Sequence, residues 1–423
     1  MVETGSGGRH LAHGVLGSHA PNLYRKRLNM TRALSQLKIL DFTTLWPGPL
    51  ATMLLADLGA HVLRIEAPDR PDLLRYLPPY DEAGEGAAWR MANRNKKSLI
   101  LDLRKPGAQQ VVQRLVADYD IVVEQFRPGV LDRLGVGYAA LSALQPRMIW
   151  CAITSFGQTG PWRDRPGHDI GFLAVSGLAS HLGRPGVGPA PWTALPGDVA
   201  GGTWPAVAGI LAAALQRHQT GVGQFIDIGM ADGALFLNAL AATQALHGGG
   251  SLLPGQGVLG GGSAYDHYRT ADGRYLAVGA LEPKFYALFL QAIAREDLAD
   301  LPMDSDAEVT TLKFEIAATL VSRDLAHWRQ VFDQVPCCVE AVESTEEALR
   351  LPQFVARGAV VDLPVVGGGT SRQLASPVRM SASPQVVAHA AVVPGSDAQA
   401  VLTAAGFAPK EIAALQASGA VGG

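Results

Sequence analysis

From Lys38 onward, short runs of β-branched and aliphatic residues alternate with amphipathic stretches of helical period. That alternation restricts the fold more than any other feature of the chain. Residues 39–42, 61–66, 98–103, 120–125 and 148–154 read as strands, with 49–58 and 107–117 as helices between them. Such a succession needs crossover connections, and crossovers between parallel strands are right-handed. The predicted fold class is α/β, a Rossmann-like doubly wound parallel sheet with helices on both faces.

The 423 residues exceed what one hydrophobic core usually serves, so a second unit is expected. Residues 228–245 read as one long helix and 253–263 as a glycine loop. A hairpin is expected around Thr270-Ala-Asp-Gly273, then helices at 283–294, 306–321 and 325–335. The expected division is a disordered N-terminal extension at 1–31, a large Rossmann-like α/β domain at 32–228 and a linker at 229–255. A small α+β domain at 256–350 and a return to the large domain at 351–423 complete it. The extension carries basic residues and Glu3 as its one acid, without the apolar stretch of a secretory signal.

The first strand-turn-helix-strand unit has the outline of a dinucleotide fingerprint, ending at Glu66. Its turn, Trp46-Pro-Gly-Pro-Leu-Ala51, holds one glycine where three are needed, and no NAD is expected. The net charge of -3 argues against nucleic acid. Cys151, Cys337 and Cys338 make neither a disulfide framework nor a zinc pattern, so no metal and a reducing, cytoplasmic compartment are expected. The apolar stretch at 203–215 reads as too short for a membrane span.

Basic residues cluster at element ends: Asn93-Arg-Asn-Lys-Lys97, Arg104-Lys105, Gln125-Phe-Arg-Pro-Gly-Val130 and Arg133. They suit phosphate oxygens, with Phe126 against a purine, or else form a solvated basic edge. Three acid/base residues sit among glycine and proline: His168 in Pro-Gly-His-Asp, Asp198 in Leu-Pro-Gly-Asp at the head of an apolar helix, and Glu282 in Leu-Glu-Pro. Taken singly, each has an ordinary structural reading, Asp198 as a helix cap above all.

Asn93-Arg-Asn-Lys-Lys-Ser-Leu-Ile-Leu-Asp-Leu103, Phe126-Arg-Pro-Gly-Val130, Arg133-Leu-Gly-Val-Gly-Tyr138, Phe156-Gly-Gln-Thr-Gly-Pro161 and Pro166-Gly-His-Asp169 together resemble the family III CoA-transferases. Within that family the chain is most similar to the α-methylacyl-CoA racemase branch. The resemblance implies that His168 and Asp198 are paired bases and that Glu282 orients the imidazole. It further implies that Leu101, Asp102, Leu103, Arg104, Gln125, Phe126, Arg127, Arg133, Gly167, Ile170, Gly171 and Phe172 line an acyl-CoA site. No cofactor beyond the CoA of the substrate is implied. An interlocked homodimer is, with Glu282 acting in cis or in trans.

The chemistry follows from the residues. A hydrogen α to a thioester is weakly acidic, so its removal needs a positioned base and donors aimed at the enolate oxygen. Backbone N-H groups of Asp169 and Val199, at expected helix starts, are candidate donors, and Gly201 and Gly202 would let a ligand approach. Burial would raise the Asp198 pKa and the helix dipole would lower it. The rival reading is a CoA-transferase in which Asp169 is the nucleophile, carrying CoA as an aspartyl thioester. Two departures from the racemase pattern are a longer 69–92 stretch and Ala67 where the racemases carry Arg, Arg70 being the nearest substitute.

Overall fold

A computed structural model describes residues 32–385 and 387–422; the expected extension at 1–31 lies outside them. Six parallel strands form the main sheet: β1 (Lys38–Asp41), β2 (His61–Glu66), β3 (Lys96–Leu101), β4 (Ile121–Glu124), β5 (Ile149–Thr154) and β6 (Phe225–Gly229). Their order is β3-β2-β1-β4-β5-β6, the doubly wound arrangement that the alternation predicts. β4 and β5 are buried along their whole length, so Ile-Val-Val-Glu and Ile-Trp-Cys-Ala-Ile-Thr read as nearly continuous apolar runs. One apolar cluster fills each face: Leu63, Val111, Val122 and Leu402 on one side, Leu55, Val123, Ile153 and Ile210 on the other.

Strand order reverses between β1 and β4, opening a crevice at their carboxyl ends. Helix Pro47–Asp57 starts there, with Pro47 and Pro49 in its first turn, where the missing N-H groups have no intrahelical partner to lose. Beneath the crevice, fully buried Asp41 accepts from Lys96 Nζ (2.9 Å), Thr52 Oγ1 (2.6 Å) and the Thr43 N-H (2.9 Å). Burial pushes the Lys96 ammonium down to about 8.

The structure corrects the basic 93–97 motif as a phosphate contact. Arg94 and Lys96 are both about 1% exposed and held by carboxylates, Arg94 by Asp57 at 2.6 Å. Charge here serves the interior, because each cation has a buried anion in reach.

The helical run Pro196–Thr220 is longer than the sequence suggests, long and apolar enough by itself to cross a bilayer. Its Ala206, Val207, Ile210 and Ala213 instead pack beneath the sheet with Leu54 and Leu55. The expected long helix over 228–245 is divided: β6 takes residues to Gly229, and helices Met230–Leu237 and Ala239–Leu246 meet at Asn238. The Asn238 side chain explains the break, since it pairs with His181 Nε2 at 2.8 Å and donates to the Ser176 carbonyl at 3.2 Å.

A second sheet, antiparallel, comprises β7 (Asp266–Arg269), β8 (Tyr275–Val278) and β9 (Val339–Ala341), with helices Pro283–Ala292, Asp306–Leu320 and Leu325–Phe332 around its own apolar cluster. Hairpin β10 (Val360–Pro364) and β11 (Thr370–Leu374) follows. Finally β12 (Val421–Gly422) adds antiparallel to β3 at the edge of the main sheet.

Candidate active site

His168 and Asp198 reach one cavity of about 260 Å³ at the carboxyl ends of β1, β4 and β5. Leu45 and Pro47 follow β1, Gln125, Phe126 and Arg127 follow β4, and Thr154 and Ser155 close β5; Gly167, Arg163, Arg165 and Met230 complete the wall. Phe126 also lines a neighbouring cavity of about 250 Å³ with Leu101, Asp102, Leu103, Arg104 and Arg133. The two cavities therefore meet at one side chain. Glu124 holds that junction, accepting the Phe126 N-H at 2.7 Å, and burial pushes its own carboxyl up to about 7.

Local packing places each polar group. His168 is the residue before helix Asp169–Val175, extended at φ -133°, so its side chain stands outside the helix. A Cβ on Gly167 would lie 2.4 Å from the Phe172 ring, so only glycine lets the histidine loop descend onto that ring. Asp169 is 5% exposed, and its Oδ1 accepts the Asp198 N-H at 3.0 Å. That bond joins the segments carrying the two proposed bases.

Asp198 precedes a π-helical turn, Val199–Thr203, inside the long helical run. Such turns cluster at functional sites. Burial above all, and then the charge of Asp169, pushes the Asp198 carboxyl up to about 6; the nearby His168 opposes the shift. The balance that the sequence left open thus falls toward a carboxyl able both to give and to take a proton near neutrality.

Since the folded pKa lies above the unfolded value, the folded state binds the extra proton and stability falls as pH rises between about 4 and 6. Asp198→Asn is therefore expected to stabilise the protein by about 1–2 kcal/mol at pH 7.5. Thermal melting should show that gain vanishing toward pH 4; a gain independent of pH would contradict it.

Other expected residues lie elsewhere. Phe172 is fully buried, edge-on to Phe156 at 5.8 Å, and is core rather than ligand lining. Ile170 is 64% exposed, and neither it nor Gly171 lines the two cavities. Arg104 lines the outer cavity but is paired with Asp102 (2.8 Å) and Asp69 (2.9 Å), which neutralise its charge. Ala67 and Arg70 line that cavity too.

The Val199 N-H is taken by the Leu195 carbonyl at 2.9 Å, which removes it as an oxyanion donor; the Asp169 N-H has no partner among the described residues. Gly201 and Gly202 admit a helix rather than a ligand, since Cβ atoms there would meet the Met230 carbonyl at 2.7 Å and its Cγ at 3.0 Å.

Glu282 stands exposed before helix Pro283–Ala292 and is not in the His168 cavity of its own chain. Among the described residues no group of three or more His, Cys, Asp or Glu is placed to hold a metal ion. Arg163, Arg165, Thr154 and Ser155 were not anticipated. The signal available for them was position alone, since they follow a strand beside the crossover point.

Residues 34–398 match the family described as CoA-transferase family III. The chain is 36% identical to human alpha-methylacyl-CoA racemase over 78% of its length and 82% of that protein. It is 30% identical to succinyl-CoA--D-citramalate CoA-transferase of Chloroflexus aurantiacus over 91% and 97%. A CAIB/BAIF family protein from Brucella suis shares the fold with a TM-score of 0.75 at 26% identity, covering 88% of this chain and 99% of that one.

Proposed function

The chain belongs to CoA-transferase family III, and from that premise we propose that it racemises or epimerises 2-methylacyl-CoA thioesters by moving one proton. His168 takes the α-hydrogen from one face, the electrons of the C-H bond pass into an enolate, and Asp198 returns a proton to the other face. The reverse direction exchanges the two roles. The free Asp169 N-H at the helix start is suited to donate to the enolate oxygen.

One observation carries this reading over CoA transfer. His168 and Asp198 line the same cavity, whereas the Asp169 carboxylate is buried outside its lining and accepts the Asp198 N-H. A nucleophile needs access to the acyl carbon, and one oxygen of that carboxylate is committed to the Asp198 N-H. The greater identity to the human racemase supports the same choice.

A homodimer is part of the proposal. Phe236 and Leu246 are 81% and 83% exposed, with Leu240 nearby at 68%, an apolar face suited to burial in a partner. In that assembly Glu282 completes the site in trans, with an interlocked arrangement of the chains.

Incubation with a single enantiomer of a 2-methylacyl-CoA in deuterated water tests the reading. α-Deuterium uptake with loss of configuration is the expected result. Retention of configuration and of the α-hydrogen with every chain length, together with a new CoA ester when a second carboxylic acid is added, would establish the transferase instead.

A further inference from the structure

Arg163 stands on the loop leading to His168, and its place in the fold points away from the chemistry and toward the far part of the ligand. It lines the inner cavity, and Arg133 lines the outer one. The two converge at Gly129: a Cβ there would lie 3.3 Å from Arg133 Nη1 and 3.7 Å from Arg163 Nη2. The two nitrogens are therefore at most 7.0 Å apart, the sum of those distances.

Carboxylates neutralise several guanidinium groups of this region, though not all of those that line the two cavities. Arg64 and Arg94 are paired in the interior, and Arg104 faces two carboxylates. Arg133 has no carboxylate partner among the described residues, and Arg163 has only its neighbour Asp164 at 3.7 Å. Two cations left unneutralised at one point favour an anion between them, with oxygens about 2.8 Å from each. Gly129 leaves room for it, with φ +78° and no side chain.

We propose that Arg163 is a further binding residue of this site, closing with Arg133 on the diphosphate of a CoA thioester as it passes between the two cavities. The inference rests on the acyl-CoA reading above. Its consequence is that the loop bearing the proposed base also holds the ligand at a point remote from the reacting carbon.

Calorimetry with free CoA, dephospho-CoA and pantetheine tests it, on native protein and on the Arg163→Ala, Arg163→Lys and Arg133→Ala variants. Loss of one charge-assisted contact should weaken CoA and dephospho-CoA alike by about tenfold or more. Arg163→Lys should recover part of the loss, pantetheine should not distinguish the proteins, and affinity should depend less steeply on salt. If Arg133→Ala weakens CoA but Arg163→Ala does not, the role of Arg163 is overturned while the CoA reading stands. Weakening of CoA without weakening of dephospho-CoA would move the contact to the 3′-phosphate and overturn the assignment to the diphosphate. If the native protein binds neither nucleotide, the acyl-CoA reading falls and this inference with it.

Discussion

Replacing His168 by Ala is expected to abolish inversion of the α-carbon and to slow overall proton exchange by about three orders of magnitude. The residual exchange is the informative part. With Asp198 intact, a substrate whose α-hydrogen faces that carboxylate still loses it and regains a solvent deuteron on the same face. Deuterium enters one enantiomer with retention of configuration, and the other stays unlabelled. Asp198→Asn gives the mirror result. In the native protein, kcat/KM for the enantiomer deprotonated by Asp198 falls below about pH 6, where that carboxyl takes up a proton, whereas for the enantiomer deprotonated by His168 it falls above about pH 6, where Asp198 no longer has a proton to return. Equal labelling of both enantiomers by both variants would remove His168 and Asp198 from the chemistry.

The second large effect concerns stability. Arg94 reaches Asp57 at the end of the first helix through three contacts of 2.6–3.2 Å, and its Nη1 donates to the Leu374 carbonyl on β11. Arg94→Ala strands a buried carboxylate and frees the hairpin from the main sheet. A loss of about 3–5 kcal/mol is expected, seen as a fall in Tm of roughly 5 °C. Burial already raises the Asp57 pKa against the pull of Arg94, and without the guanidinium the folded state favours the protonated acid further. The deficit should therefore narrow as pH falls. Replacing Asp57 and Arg94 together by Leu should restore most of the stability, whereas a double variant as weak as Arg94→Ala would show that packing, not the stranded charge, sets the cost.

The sheet was legible because short apolar, β-branched runs separated by helical stretches have few solutions other than a parallel sheet, and β4 and β5 carry such runs without interruption. The basic 93–97 motif misled because a run of charges normally marks solvent, and only the fold places Asp57 and Asp41 against Arg94 and Lys96. The division at Asn238 depends on His181 and Ser176, which are distant in sequence, so helical period passes over it. Pattern singled out His168 and Asp198 as candidates, but the link that Asp169 makes between their segments is one backbone hydrogen bond that no spacing displays. Glu282 stayed apart: the fold sets it at the head of helix Pro283–Ala292, outside the lining of the His168 cavity.

The edge strand β12 carries one more consequence. Its Val421 pairs with Leu101, and the Ala420 carbonyl accepts the N-H of Asp102, within the wall of the outer cavity. During translation β3 and its loop leave the ribosome early, yet that wall keeps an open hydrogen-bonding edge until residues 420–422 have been made. The wall of the outer cavity is thus completed only when residues 420–422 dock, and loss of that short strand would be felt at the mouth of the site.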